Sequence, residues 1–188
     1  MINDVLNFVK EQLNIYFKLQ TDVLEDKVSF IDGSQTDPIS FPLEMITPIL
    51  INIEEDRVMR RADLYSTVND NGEKVRSQRD IRMNLMVLFV ARFTNYEQSM
   101  RYLSYVIKYF QTNNVFDHQN APDLSEDILK LIMELTTMPL QQQNEIWNAL
   151  RTTYMPSILY KVKMVVFKDE PVSVENKMHT PAYALTKL

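Results

Sequence analysis

Apolar side chains recur every third or fourth residue at the start of the chain, at Ile2, Val5, Leu6, Val9, Leu13, Tyr16 and Phe17. That spacing lays them along one face of a helix of about five turns. The opposite face carries Asn3, Asp4, Asn7, Lys10, Glu11, Gln12 and Asn14. It lacks the basic excess of a membrane-surface helix, so the pattern predicts a helix packed on a sheet. A short strand is predicted at Lys27 to Ile31, and Pro38, Pro42 and Pro48 then punctuate a loop. Ile49, Ile51 and Ile53 alternate with Leu50, Asn52 and Glu54, which reads as a strand running into Glu54-Glu55-Asp56-Arg57.

Residues 62–80 are polar around Asn71-Gly72, which reads as a β-hairpin or a mobile loop. Ile81 to Phe93 is the strongest strand. Ile81, Met83, Leu85, Val87, Phe89, Ala91 and Phe93 fill one face. The other face is polar at its ends (Arg82, Asn84, Arg92) and apolar in its middle (Met86, Leu88, Val90), the pattern of a strand covered on both sides near its centre. Thr94 and Glu97 form a capping-box pattern for a helix with Tyr96, Met100, Leu103, Ile107 and Phe110 on one face, ended by Asn113 and Asn114. Ile128 to Leu135 fits a helix or a strand, and periodicity slightly favours the helix. Pro139 opens a short helix through Ile146, Trp147 and Leu150. Ser157 to Lys168 is a second clear strand, and the period is lost from Pro171 to Leu188. This order predicts an α/β (α+β) fold, a mixed, mostly antiparallel sheet with flanking helices.

Composition narrows the chemistry. The 188 residues include two glycines, Gly33 and Gly72, far apart. Phosphate-cradling loops and nucleophile elbows need glycines close together, so nucleotide chemistry on those scaffolds is excluded. There are no cysteines, which removes disulfides, thiolate metal sites and cysteine nucleophiles. His118 and His179 stand without metal-ligand spacing and read as solvent-exposed. Asp4 precedes any positive charge, against a signal peptide, and the longest apolar run, Leu85 to Ala91, is too short to span a bilayer. The expectation is cytoplasmic synthesis without direct membrane insertion.

The net charge is −5. Glu54-Glu55-Asp56 is the densest acidic cluster, and one reading makes it the oxygen-ligand site of a small metal-dependent hydrolase. On a strand only Glu54 and Asp56 share a face, a weak pair, and a strand end paired with nearby arginines is the favoured reading. Arg57, Arg60, Arg61, Arg76, Arg79 and Arg82, with Lys74, are balanced by as many carboxylates between Glu54 and Arg82. A nucleic-acid surface would not neutralise itself, so no nucleic-acid partner is expected. Glu54, Asp56, Arg57, Arg60 and Arg61 are therefore candidate subunit-interface residues. Tyr102, Tyr105 and Tyr109 lie partly off their helix stripe, and Trp147 and Tyr154 flank a turn. Trp147 and Tyr154 join the interface candidates as contact anchors. No catalytic, cofactor or metal residue is assigned.

Four segments carry a resemblance. They are Asn52-Ile53-Glu54-Glu55-Asp56-Arg57; Asn84 to Ala91 followed by Tyr96; Tyr102-Leu103-Ser104 through Phe110-Gln111 to Asn114-Val115-Phe116; and Gln142 to Trp147 with Tyr154-Met155-Pro156-Ser157 to Val162. In this order and spacing, over about residues 1–168, the chain resembles the N-terminal domain of cap proteins from extracellular contractile injection systems, particles related to contractile phage tails. The resemblance implies a tail-terminator-like domain at 1–168 and an extended tail at 169–188. It makes residues 128–136 a strand. It also implies a homohexameric ring on the baseplate-distal end of the tube and sheath, in a particle that is released or membrane-associated, with terminal tube and sheath subunits as partners and no enzymatic role.

Overall fold

The computed structural model describes residues 1–33, 39–56, 67–68, 74–75 and 82–166. Two compact units are present. The larger takes in Met1–Arg60 and Asp80–Lys168. In chain order its elements are α1 (Ile2–Thr21), β1 (Met45–Glu55), β4 (Arg82–Arg92), α2 (Tyr96–Thr112), β5 (Val115–Asp117), β6 (Ile128–Thr136), α3 (Leu140–Ala149) and β7 (Ser157–Val166). The smaller unit contains β2 (Thr67–Val68) and β3 (Lys74–Val75), which pair antiparallel with Thr67 opposite Val75. That pairing is the arrangement a hairpin about Asn71-Gly72 requires, although the turn itself lies outside the described residues.

The five long-unit strands form one antiparallel sheet in the order β1-β4-β7-β6-β5. β4 is an interior strand, between β1 and β7, and buries both faces near its middle. Leu85, Val87, Phe89 and Ala91 join the larger core with α1 and α2, while Leu88 and Val90 join a second cluster with Phe41, Trp147 and Leu159. Two helices thus cover one face, and α3 with the Phe41 segment covers part of the other. Residues 128–136 are a strand, as the resemblance implied. The β-sheet context overrides the slight helical period, since Ile128, Leu131 and Met133 are buried while Leu129 is exposed.

Several local expectations shift. The predicted strand at Lys27 to Ile31 reduces to one parallel bridge, Val28 with Ile46. β1 begins at Met45 and takes in Pro48, which the loop reading had placed outside it. Ile46 turns its N–H and C=O away from β4, to Lys27 and Ser29, and Pro48, two residues on, faces the same way. Its missing N–H therefore costs no ladder bond, as an edge strand permits. A bulge at Ile51, between Leu50 and Asn52, shifts the alternation, so Ile53 leaves the face that Ile49 and Ile51 share. The cap of α2 is Asn95, not Thr94. Asn95 accepts from the N–H of Glu97 at 2.9 Å, and the Thr94 N–H donates to Glu44 Oε1 at 2.8 Å. The buried stripe of α2 is Ser99, Tyr102, Leu103, Val106, Tyr109 and Phe110, packed in the larger core, and Tyr96 is exposed.

Candidate interaction surface

Trp147 does not project outward as the contact anchor first expected. It is 4% exposed, edge-on to Phe41 with ring centroids 6.2 Å apart. α3 presents it to the sheet because Ile146, Trp147 and Leu150 share one side of a short helix. Tyr154 lies against its outer rim at 5.8 Å and stays exposed. Tyr102 and Tyr109 are also buried. Tyr102 stacks on Phe93 at 4.7 Å, and the Tyr109 hydroxyl donates to Gln12 Oε1 at 3.0 Å. Burial pushes the phenols of Tyr109 and Tyr160 up to about 12.

Glu54 and Asp56 sit at the opposite end of the sheet from Tyr154. Glu54 is in register with Asn84, and the Asp56 N–H donates to the Arg82 carbonyl. Arg57, Arg60 and Arg61 lie outside the described residues. The interface candidates thus separate into a pair around Trp147 and an acidic strand end.

Beyond α3 the same sheet face bears two cross-strand rows, Asn52-Met86-Lys161-Glu134 and Glu54-Asn84-Lys163-Ile132. Lys161 Nζ lies 3.7 Å from Glu54 Oε2, and Lys163 Nζ lies 2.5 Å from Glu134 Oε1. The four charged side chains are part-exposed, so their pairing fixes geometry more than it adds stability. Asn84 lies among them at 6% exposure, and its Oδ1 meets no donor. The alternation of β4 had marked Asn84 as polar, but its burial among paired charges needed the register.

The two ends of the sheet differ. Where β4 and β6 finish, Leu24, Leu140, Leu19, Tyr96, Tyr154, Leu43 and Leu135 are all exposed, from 87% to 55%. The other end carries Glu54, Glu55, Asp56, Arg82, Asn84, Lys130 and Lys163, with Ile53 and Leu129 also exposed there. Among the described residues no three of His, Asp or Glu gather as a metal ion would require. A shallow cleft of about 200 Å³ beside α3 is lined by Leu88, Leu135, Thr136, Gln143, Ile158 and Leu159, without a titratable group. No helix among the described residues is long and apolar enough to cross a membrane.

Residues 4–180 match the family model of the Pvc16 N-terminal domain. The chain belongs to this family. The Pvc16 N-terminal domain seen here also shares its fold with solved structures. One is the PVC sheath/tube terminator of an extracellular contractile injection system in its extended state (TM-score 0.57, 18% identity), with all of this chain aligned to 62% of that one. Another is the anti-feeding prophage cap, a tube-terminating cap (TM-score 0.59, 16% identity), with all of this chain aligned to 61% of that one. The domain therefore spans about three fifths of either chain. Comparison with curated proteins gives no match. The tail-terminator-like sheet with flanking helices is the fold these structures share with the Pvc16 N-terminal domain.

Proposed function

We propose that the protein is a structural cap that forms a ring on the baseplate-distal end of a contractile injection particle and ends the polymerisation of its tube and sheath. The observation that carries this reading is the family match over residues 4–180, joined to the fold of two terminators. A tube or sheath grows because each layer exposes the surface that binds the next. A terminator binds that surface on one side and presents an unlike surface on the other. The apolar and charged ends of this domain supply such a difference.

In this reading residues 1–168 are the cap domain and 169–188 a tail that orders on a neighbour. Copies of the chain make the ring, and terminal tube and sheath subunits are its partners, without nucleic acid or membrane insertion. Glu54, Asp56, Arg57, Arg60, Arg61 and Tyr154 contact neighbouring subunits, while Trp147 backs Tyr154 from inside. The cap performs no catalytic step and is made in the cytoplasm before joining the particle. A metal hydrolase at Glu54 to Asp56 has little support, because Glu54 is engaged by Asn52 and Lys161.

Electron microscopy of particles from a strain lacking the gene tests the assignment. The expected particles have ragged, variable or unstable distal ends. Uniform length and an intact distal end, with no related cap present, would overturn it.

A further inference from the structure

Among the described residues three other than glycine hold a positive φ: Asp22 at 55°, Glu44 at 60° and Arg151 at 51°. Asp22 caps the end of α1 and Arg151 follows the cap of α3, places where one left-handed residue commonly closes a helix. Glu44 ends no helix. It closes the turn that leads from Phe41 into β1. A residue with a Cβ is strained in this conformation, and the strain persists where the surroundings fix it.

Two bonds fix this turn. Glu44 Oε1 accepts from the Thr94 N–H at 2.8 Å, 50 residues along the chain. The Arg92 guanidinium donates to the Phe41 carbonyl. Met45 pairs with Arg92 between them, so the two bonds bracket the first rung of the β1–β4 ladder. Phe41 is itself buried against Trp147 and needs no further anchor.

The bond to Thr94 has an acceptor that titrates. The Thr94 N–H, together with its hydroxyl, holds the Glu44 carboxyl below the usual carboxylate range. Lys27, on the segment bridged to Ile46, lowers it further. The other charged side chains of the elements that meet here are Arg92, turned to Phe41, and Glu97 in the first turn of α2. An ionised carboxylate accepts a charge-assisted bond, about twice as strong as the bond to a neutral acceptor. The folded value is the lower one. The contribution is therefore present above the ordinary carboxylate range and is lost as pH falls through the folded value.

We propose that Glu44 is an acid-released latch between the start of β1 and the start of α2, which fastens a strained turn at neutral pH and lets it relax when protonated. Leu43 and Tyr96, both exposed, lie on either side of the latch, so it sets the spacing between them. Release is a local opening of residues 42–44 and 93–95, with Phe41 and the rest of the ladder in place. The latch acts within one chain and is independent of the cap reading.

Amide exchange on the full chain tests it. Glu44→Gln keeps the shape with a neutral acceptor and stands for the protonated form at pH 7. It should leave the Thr94 amide about fivefold less protected than in the parent chain. The Ala91 amide, bonded to the Pro156 carbonyl, should be unchanged. Glu97→Gln, which alters a neighbouring carboxylate, should leave Thr94 as it is. In the parent chain Thr94 protection should fall by the same factor as pH is lowered through the Glu44 titration, and in Glu44→Gln it should stay level. Equal protection of Thr94 in the parent chain and Glu44→Gln at pH 7 overturns the proposal. So does a loss that the Ala91 amide shares, which would mean general loosening, or a parent Thr94 amide that ignores acid while Ala91 stays protected.

Discussion

Replacing Asn14 with alanine should be among the more costly single changes in α1, although the residue is polar and sits in a helix. Its side chain is 5% exposed. Oδ1 accepts from the N–H groups of Lys27 at 2.9 Å and Val28 at 2.8 Å, and Nδ2 donates to the Val28 carbonyl at 3.1 Å. One carboxamide thus substitutes for a strand beside the extended Lys27-Val28 segment. That segment in turn holds the edge of β1 through Ile46, with bonds of 2.7 and 3.1 Å. In Asn14→Ala both Val28 groups lose their partners in a buried setting, and the half-buried Lys27 N–H turns to water. At about 1–1.5 kcal/mol for each Val28 group and less for Lys27, the loss is about 3 kcal/mol. For a chain of this size that corresponds to about 6–12 °C in melting temperature. Circular dichroism melts would give the shift, and hydrogen exchange should show faster exchange at the Val28, Ser29 and Ile46 amides. Asn3→Ala, on the exposed face of the same helix, should stay within about 0.5 kcal/mol. If Asn14→Ala also melts within about 2 °C of the parent chain, the clamp does not hold this edge and the reasoning fails.

Two further outcomes test other parts of the fold. Asn95→Ala should cost about 1 kcal/mol by thermal melting, and Thr94→Ala less, because Thr94 is bonded through its backbone N–H; the opposite ranking would restore the capping box read from the sequence. Tyr109 and Tyr160 have phenol pKa values raised from 10 to about 12 in the fold, so the stability tied to their neutral forms is fully present below pH 10 and lost as pH rises to about 12. Ultraviolet titration should show Tyr109 and Tyr160 ionising near 12, and their contribution to the melting temperature should hold up to pH 10 and fall beyond it.

The long elements were legible because one physical signal dominated each. α1 shows a helical stripe over its whole length, and β4 shows its double burial as an apolar middle. What escaped the sequence depended on partners far along the chain. Asn14 belongs by type to the polar face of α1 and is drawn inside by backbone groups of residues 27 and 28. β5 is three residues long, too short to show a period, and exists through its pairing with β6. Pro48 looked like a breaker because nothing local says that its strand is an edge. Tyr102 and Tyr109 seemed to lie off the stripe because it was phased on Tyr96, which is exposed. Of the candidate surface, the acidic end of β1 was visible as a charge cluster. The row that joins it to Asn84, Lys161, Lys163 and Glu134 needed the sheet order and register.

The sheet edges bear on how such a domain meets others. An edge strand with free N–H and C=O groups is a template for another strand. On β5, Asn120 turns its carboxamide to the outer side. Its Oδ1 accepts from the Asp117 N–H at 3.0 Å, and its Nδ2 donates to the Val115 carbonyl at 3.0 Å. One side chain thereby occupies the positions of a neighbouring strand's peptide. On β1 the outer edge is covered at Ile46 by Lys27 and Ser29, lacks a donor at Pro48, is bent by the bulge at Ile51, and has the Ile53 N–H taken by Asn52 Oδ1 at 2.9 Å. Backbone pairing is blunted at both sides by local devices. Contacts with other subunits are then left to side-chain surfaces, whose complementarity is specific to a partner and does not propagate along a ladder. This favours exposed side-chain surfaces over the strand edges as the places where the domain would meet a partner.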